Sequence, residues 1–154
     1  MANRALPSDN EAEMSVLGVA FLKNAAIETI NDEVTEDMFL NDKNRLIYKA
    51  IISLYKENIP VDVTTIKNEL DKKKSLNAVG GLSYLTEVID SVATTANLNY
   101  YINILKEKAT RRNVINTATD IITSAYNDEN VTGMLDYAER NILNVVKARQ
   151  TSEF

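Results

Sequence analysis

The chain has 154 residues, room for one domain or two small subdomains with a real core, and its 45% apolar content argues for a folded protein. With 25% charged residues but only 4 Gly and 2 Pro, the composition favours an all-α fold. The absence of Cys and His excludes disulfides, thiol catalysis and thiolate metal sites and removes the commonest general base, while a net charge of -5 argues against a surface that tracks phosphates.

Ser8 followed three residues later by Glu11 has the form of a capping box, with Pro7 stopping any helix from running in. Ala12, Val16, Leu17, Ala20 and Phe21 then recur at helical spacing, predicting a first helix to about Leu22. A short apolar turn follows at Ala26, Ile27 and Ile30, and Thr35 is placed to cap another turn carrying Met38 and Phe39. Asp42 opens a longer helix with the stripe Leu46, Ile47, Ala50, Ile51, Leu54 and Tyr55, broken at Asn58-Ile59-Pro60 because a proline disfavours αR in the residue before it. Asp62 is a good N-cap for a helix bearing Val63, Ile66 and Leu70, which ends on Lys72, Lys73 and Lys74, where the helix dipole favours cations. Gly80-Gly81 introduces one more short helix with Leu82, Leu85, Val88 and Ile89 inward. These elements make a helical head over residues 1–94.

From Thr95 to Ala125 there is neither Gly nor Pro. A first stripe of Leu98, Tyr101, Ile102, Leu105 and Ala109 is followed, after polar residues 110–113, by Ile115, Ala118, Ile121, Ile122 and Ala125. Residues 127–130 form a turn, and Thr132 can cap a last helix showing Met134, Leu135, Ala138, Ile142, Val145 and Val146. The whole reads as a long antiparallel helical hairpin over residues 95–150. Ile121 with Ile122, Met134 with Leu135, and Val145 with Val146 occupy adjacent faces, so the apolar stripes are wider than one helix partner requires. The hairpin is therefore expected to associate with itself or another protein, through Leu98, Tyr101, Ile102, Leu105, Ile122, Leu135, Ile142, Val145 and Val146.

Little in the chain suggests chemistry. Asp9, Glu11 and Glu13 could together hold a divalent ion, but in a first helical turn they read as capping and dipole complementation. Neither a G-x-G-x-x-G nor a Walker A sequence occurs. Lys106, Lys108, Arg111 and Arg112 beside Tyr100 and Tyr101 have the composition of a nucleic-acid face, diluted by Glu107. Charge is unevenly spread: residues 1–42 are strongly acidic and residues 43–74 basic, a pattern suited to orienting a protein partner. No apolar run approaches the ~20 residues of a membrane span, and the start lacks a signal-peptide core, so a soluble, cytoplasmic chain is expected.

The segment from Leu6 through Pro7 and Glu11-Ala-Glu13 to Val16-Leu17-Gly18 resembles the opening of the DnaB-type bacterial replicative DNA helicases. Matches follow in order at Asp37-Met-Phe39, Arg45-Leu-Ile-Tyr48, Ile59-Pro-Val-Asp62, Val79-Gly-Gly-Leu-Ser-Tyr-Leu85, Thr95-Ala-Asn97 and Tyr100-Tyr101, so the likeness covers essentially the whole chain. One departure is that the family often carries a histidine before the helix at Asn44-Arg45, where this chain has none. The resemblance implies the amino-terminal domain of such a helicase, a non-catalytic collar. In the family its hairpins pair into dimers, three dimers close a ring, and the collar docks primase and in some bacteria a helicase loader. It further implies that ATP and Mg belong to a motor domain beyond a linker beginning at residues 151–154 and that this chain holds no cofactor; charge and hydropathy make neither nucleic acid nor membrane an expected direct partner. Matching motifs places Ile115, Ile121 and Met134 of the hairpin at primase-binding positions, with Tyr84 of the head as a further candidate. Two alternatives stand beside this reading: the helicase-binding domain of a primase, and a small helical DNA-binding regulator.

Overall fold

Asp9, one residue after the expected cap at Ser8, accepts the backbone N–H of Ala12 at 2.9 Å and starts helix α1 (Asn10–Leu22). In the computed structural model, which describes residues 4–152, six more α-helices follow. They are α2 (Ile27–Glu33), α3 (Asp42–Lys56), α4 (Val63–Lys72), α5 (Gly81–Ile89), α6 (Leu98–Asn127) and α7 (Val131–Ser152), with 3₁₀ turns at Asn24–Ala26 and Glu36–Met38. No strand occurs among the described residues, and the all-α expectation holds. Of the expected linker start, residues 151 and 152 are the end of α7, and 153 and 154 lie outside the described residues.

The chain divides into two units, Ser8–Lys106 and residues 4–7 with 107–152. The expected boundary at 94/95 therefore lies before the structural one, and the first turns of α6 belong with the head. The reason is packing: Ile102 and Leu105 are fully buried in the head's apolar core, and Leu98, Tyr101 and Ile104 pack against it.

Helix α1 is the centre of that core. Every residue from Ala12 to Ala20 is buried, so it is an all-round buried helix rather than the one-sided stripe its spacing predicts. It packs on α3 and α5, α3 on α4, and α2 on α3. Close approach to α5 depends on Gly18, where an added Cβ would stand 2.8 Å from the Val88 carbonyl oxygen and 2.9 Å from a Val92 methyl. Because one of those neighbours is backbone, Gly18→Ala is expected to lower head stability. The overpacking cost of about 1–3 kcal/mol exceeds a helix-propensity gain of about 1 kcal/mol. A urea unfolding midpoint that rises instead refutes this close fit.

Helices α3 and α4 end alike. Asn58 and Lys74 adopt left-handed backbone (φ 59° and 56°), and the next N–H in each case returns to the last turn, Ile59 to Leu54 and Ser75 to Leu70. The stop after α3 is thus made at Asn58, before Pro60 acts. Asp62 caps α4 as expected, in a reciprocal box with Thr65 (2.8 and 2.9 Å). Thr35 makes no cap bond to its turn and instead donates its hydroxyl to Asp37. Two residues expected inward are exposed, Val63 and Leu82, while Val61 and Val79 just outside their helices are buried. Phe39 and Tyr48 meet with ring centroids 4.9 Å apart. The Tyr48 hydroxyl donates to the Val34 carbonyl, and burial, with the Glu36 and Asp37 carboxylates nearby, pushes its phenol up to about 12.

Candidate docking surface

The second unit consists of the rest of α6 and α7, joined by residues 128–130. The turn is held by Ser124, which donates to Asp128 at 2.7 Å, and by Asn130, whose side chain accepts the Gly133 N–H at 3.1 Å. Asn130, rather than Thr132, therefore opens α7. Asp120, Ser124 and Asn127 line one shallow depression with Gly133, Tyr137 and Arg140, so the chain folds back on itself with the two helices antiparallel.

Burial ends abruptly along α6. Arg112 is 6% exposed and donates to the Pro7 carbonyl at 2.8 Å, but from 113 to 149 no residue is buried. The half-buried positions in that stretch are Thr117, Ile121, Ser124, Met134, Tyr137, Ala138, Asn141 and Val145, a mixed polar and apolar set. Facing solvent are Val114, Ile115, Ile122, Tyr126, Val131, Leu135, Ile142, Leu143 and Val146, large apolar side chains on both helices. Exposed large apolar side chains are thus concentrated on these two helices.

The residues expected at this surface fall into three groups. Ile115, Ile122, Leu135, Ile142 and Val146 are exposed and available to a partner. Ile121, Met134 and Val145 are half-buried. Ile102 and Leu105 are fully buried in the head core, and Leu98 and Tyr101 are half-buried against it. Spacing in α6 shows that a face is covered, but not by what. Val114, Tyr126, Val131 and Leu143 were missed, although Val114 and Leu143 adjoin the predicted Ile115 and Ile142 in sequence.

On the head, Tyr84 is tied into a polar network rather than presented alone. Its hydroxyl donates to Asn44 Oδ1 at 2.6 Å, the Lys43 ammonium stands 5.1 Å from its ring centroid, and burial, then Glu87 and Glu13, raise its phenol. Asn44 Nδ2 in turn donates to Asn10 Oδ1 at 2.9 Å and to Glu13 at 3.0 Å. Glu13 is the centre of this network. It is 1% exposed, and its carboxylate also accepts the backbone N–H groups of Leu40 (3.0 Å) and Asn41 (3.3 Å). Of the three acids read as capping and dipole complementation, Asp9 does cap α1 but Glu13 turns inward, and among the described residues no group of three or more carboxylates is placed to hold a metal.

The basic and aromatic residues of α6 do not make one face either. Lys106 pairs with Glu33 at 3.8 Å, Arg111 with Glu107 at 3.2 Å, Arg112 is buried, and Tyr101 packs on the core while its edge-on neighbour Tyr100 is exposed. Among the described residues, no helix is long and apolar enough to cross a membrane.

Residues 5–107 match the model of the DnaB-like helicase N terminal domain. The chain is 38% identical to the replicative DNA helicase DnaC of Bacillus subtilis over 156 residues, covering 100% of this chain and 34% of the relative. It spans about a third of the length of the curated relatives it matches. The crystal structure of the N-terminal domain of DnaB helicase from Mycobacterium tuberculosis superposes with a TM-score of 0.87 at 33% identity, covering 92% of this chain and 99% of that one. A structure described as that of a DnaB-like replicative helicase and its interactions with primase has a TM-score of 0.74 at 25% identity, over 89% of this chain and 31% of that one. These findings favour the helicase-side reading over a primase domain or a DNA-binding regulator. With its central buried α1, Gly18 against α5 and a helical hairpin after the head, this chain belongs to the DnaB-like helicase N-terminal domain family.

Proposed function

We propose that this domain is a non-catalytic collar that pairs subunits through its hairpin and docks primase, within an ATP-dependent replicative helicase of the bacterial cytoplasm. The observation that carries this reading is the run from 113 to 149, which buries no residue yet exposes large apolar side chains on both helices. Kinship with replicative helicases, one of them described with its primase interactions, supports the choice of partner. ATP and Mg are assigned to a motor domain outside this sequence, as no Walker A sequence lies within it. A helicase loader is a further partner of the same collar, and neither DNA nor a membrane is bound directly.

Differences in exposure support a division of work among the side chains. Ile122, Leu135, Ile142 and Val146 are assigned to pairing with a second hairpin, with Val145 half-buried behind them. Ile115, Ile121 and Met134 are assigned to primase, and Tyr84 to a contact from the head. Ile115 is the discriminating position, because it is exposed whereas Ile121 and Met134 also line the seam of the hairpin. Ile115→Asp is expected to weaken binding of a primase carboxy-terminal domain at least about tenfold, as loss of an apolar anchor does, while the helical signal and urea midpoint stay unchanged. Titration calorimetry with sedimentation checks both. Parent chain that neither self-associates nor binds primase at tens of micromolar contradicts the proposal.

A further inference from the structure

Helix α6 is encoded unevenly along its length. Of the fifteen residues from Leu98 to Arg112, eight are Leu, Lys, Glu, Ala or Arg, good helix formers. Of the fifteen from Asn113 to Asn127, seven are β-branched, three are Asn, and none is Leu, Met, Glu, Gln, Lys or Arg. β-branched side chains lose χ1 freedom in a helix, and Asn, Asp and Ser compete for backbone hydrogen bonds. Thr119 and Thr123 do so visibly, donating to the carbonyls four residues back, Ile115 at 2.9 Å and Thr119 at 3.1 Å.

Weak propensity is ordinarily overruled by burial, as most helices are stabilised by packing. Here the change in composition coincides with the end of burial at Arg112, and no residue from 113 to 149 is buried. The returning helix offers little help. Its first turn contains Gly133, and the half-buried positions of the two helices include the polar Thr117, Ser124 and Asn141; Ser124 donates to Asp128 and Asn141 to the Tyr137 carbonyl, both local partners. Local preference and global conformation therefore disagree over one contiguous segment. Such disagreement marks an element whose conformation is decided from outside.

We infer that the distal hairpin, from Asn113 to about Asn141, is conditionally folded: it orders fully only when its exposed apolar side chains are covered by a second copy of this chain. The inference rests on the proposed pairing of hairpins and adds that pairing and helix formation are one coupled event. Coupled ordering reduces affinity for a given area. It also makes assembly responsive to anything that alters helix stability at the hairpin tip.

Hydrogen exchange of the whole chain across a dilution series, with sedimentation at each concentration, tests it. In the monomer, amides of 113–127 are expected to exchange at least about 100-fold faster than those of α1 and α3, and to gain protection in step with association. Thr119→Ala with Thr123→Ala, at exposed positions, is expected to raise protection of 113–127 in the monomer about fivefold by propensity alone. Head-like protection of the segment in the monomer overturns the inference, as does continued fast exchange within a paired species. A chain that stays monomeric throughout refutes pairing as the function. In that case fast exchange together with the alanine rescue supports the weak encoding of the tip, and absence of the rescue overturns it.

Discussion

Glu13→Ala unfolds the head at a markedly lower urea concentration, with a loss on the order of 3 kcal/mol. The substitution removes the acceptor of three donors at once: the N–H groups of Leu40 and Asn41 and the Asn44 side-chain amide. Each buried donor left without a partner costs about 1–3 kcal/mol, and the vacated volume adds to that. Release of a carboxylate from a site only 1% exposed offsets part of the sum. Glu13→Gln separates the contributions, since it keeps the shape and one acceptor while turning an amide toward the donors, and it is expected to fall between parent and alanine. Equal midpoints for parent and Glu13→Ala would mean that the segment from Leu40 to Asn44 is positioned without this residue.

The second large effect concerns the hairpin. Ile122→Asp combined with Leu135→Asp is expected to leave the urea midpoint of the head within error of the parent, because both side chains are exposed and lie outside the head. Self-association should nevertheless be lost. Apolar anchors at the centre of an interface are worth about 2 kcal/mol or more each, and in a two-fold pair every substitution is present twice. A loss of at least about 1,000-fold in affinity follows, read by sedimentation at concentrations where the parent chain associates. Unchanged association in the double variant moves the pairing surface elsewhere, whereas a lowered head midpoint makes these residues part of the fold.

The elements that could be read from sequence are those whose signals are local. The Asp62 cap, the break at Asn58, the Gly80-Gly81 turn and the long α6 and α7 each depend on neighbours a few residues away, and each is found. Where two nearby residues can do the same job, the boundary slips by one or two, as with Asp9 for Ser8 and Asn130 for Thr132. Glu13 was hidden for a different reason. In the first turns of a helix beside Asp9 and Glu11 it looks like a solvent-facing charge, and its donors come from 27 to 31 residues away. The surface was half legible for the reason seen at Leu98 to Leu105. Helical spacing reports that a stripe is covered, and the chain satisfies the first stripe of α6 with its own head, leaving Ile115, Ile122, Leu135, Ile142 and Val146 exposed.

Asn24 accepts the Val61 N–H at 2.7 Å and donates to its carbonyl at 3.0 Å, across 37 residues. Together with Glu13 to Leu40 and Tyr84 to Asn44, separated by 27 and 40 residues, it closes long loops within a head made only of helices. Each closure costs chain entropy before its contact forms. Folding speed in small proteins falls as contacting residues lie farther apart along the chain. The head is thus a helical domain with polar ties between residues distant along the chain, and its refolding rate should lie nearer to that of mixed α/β domains than to that of simple up-and-down bundles.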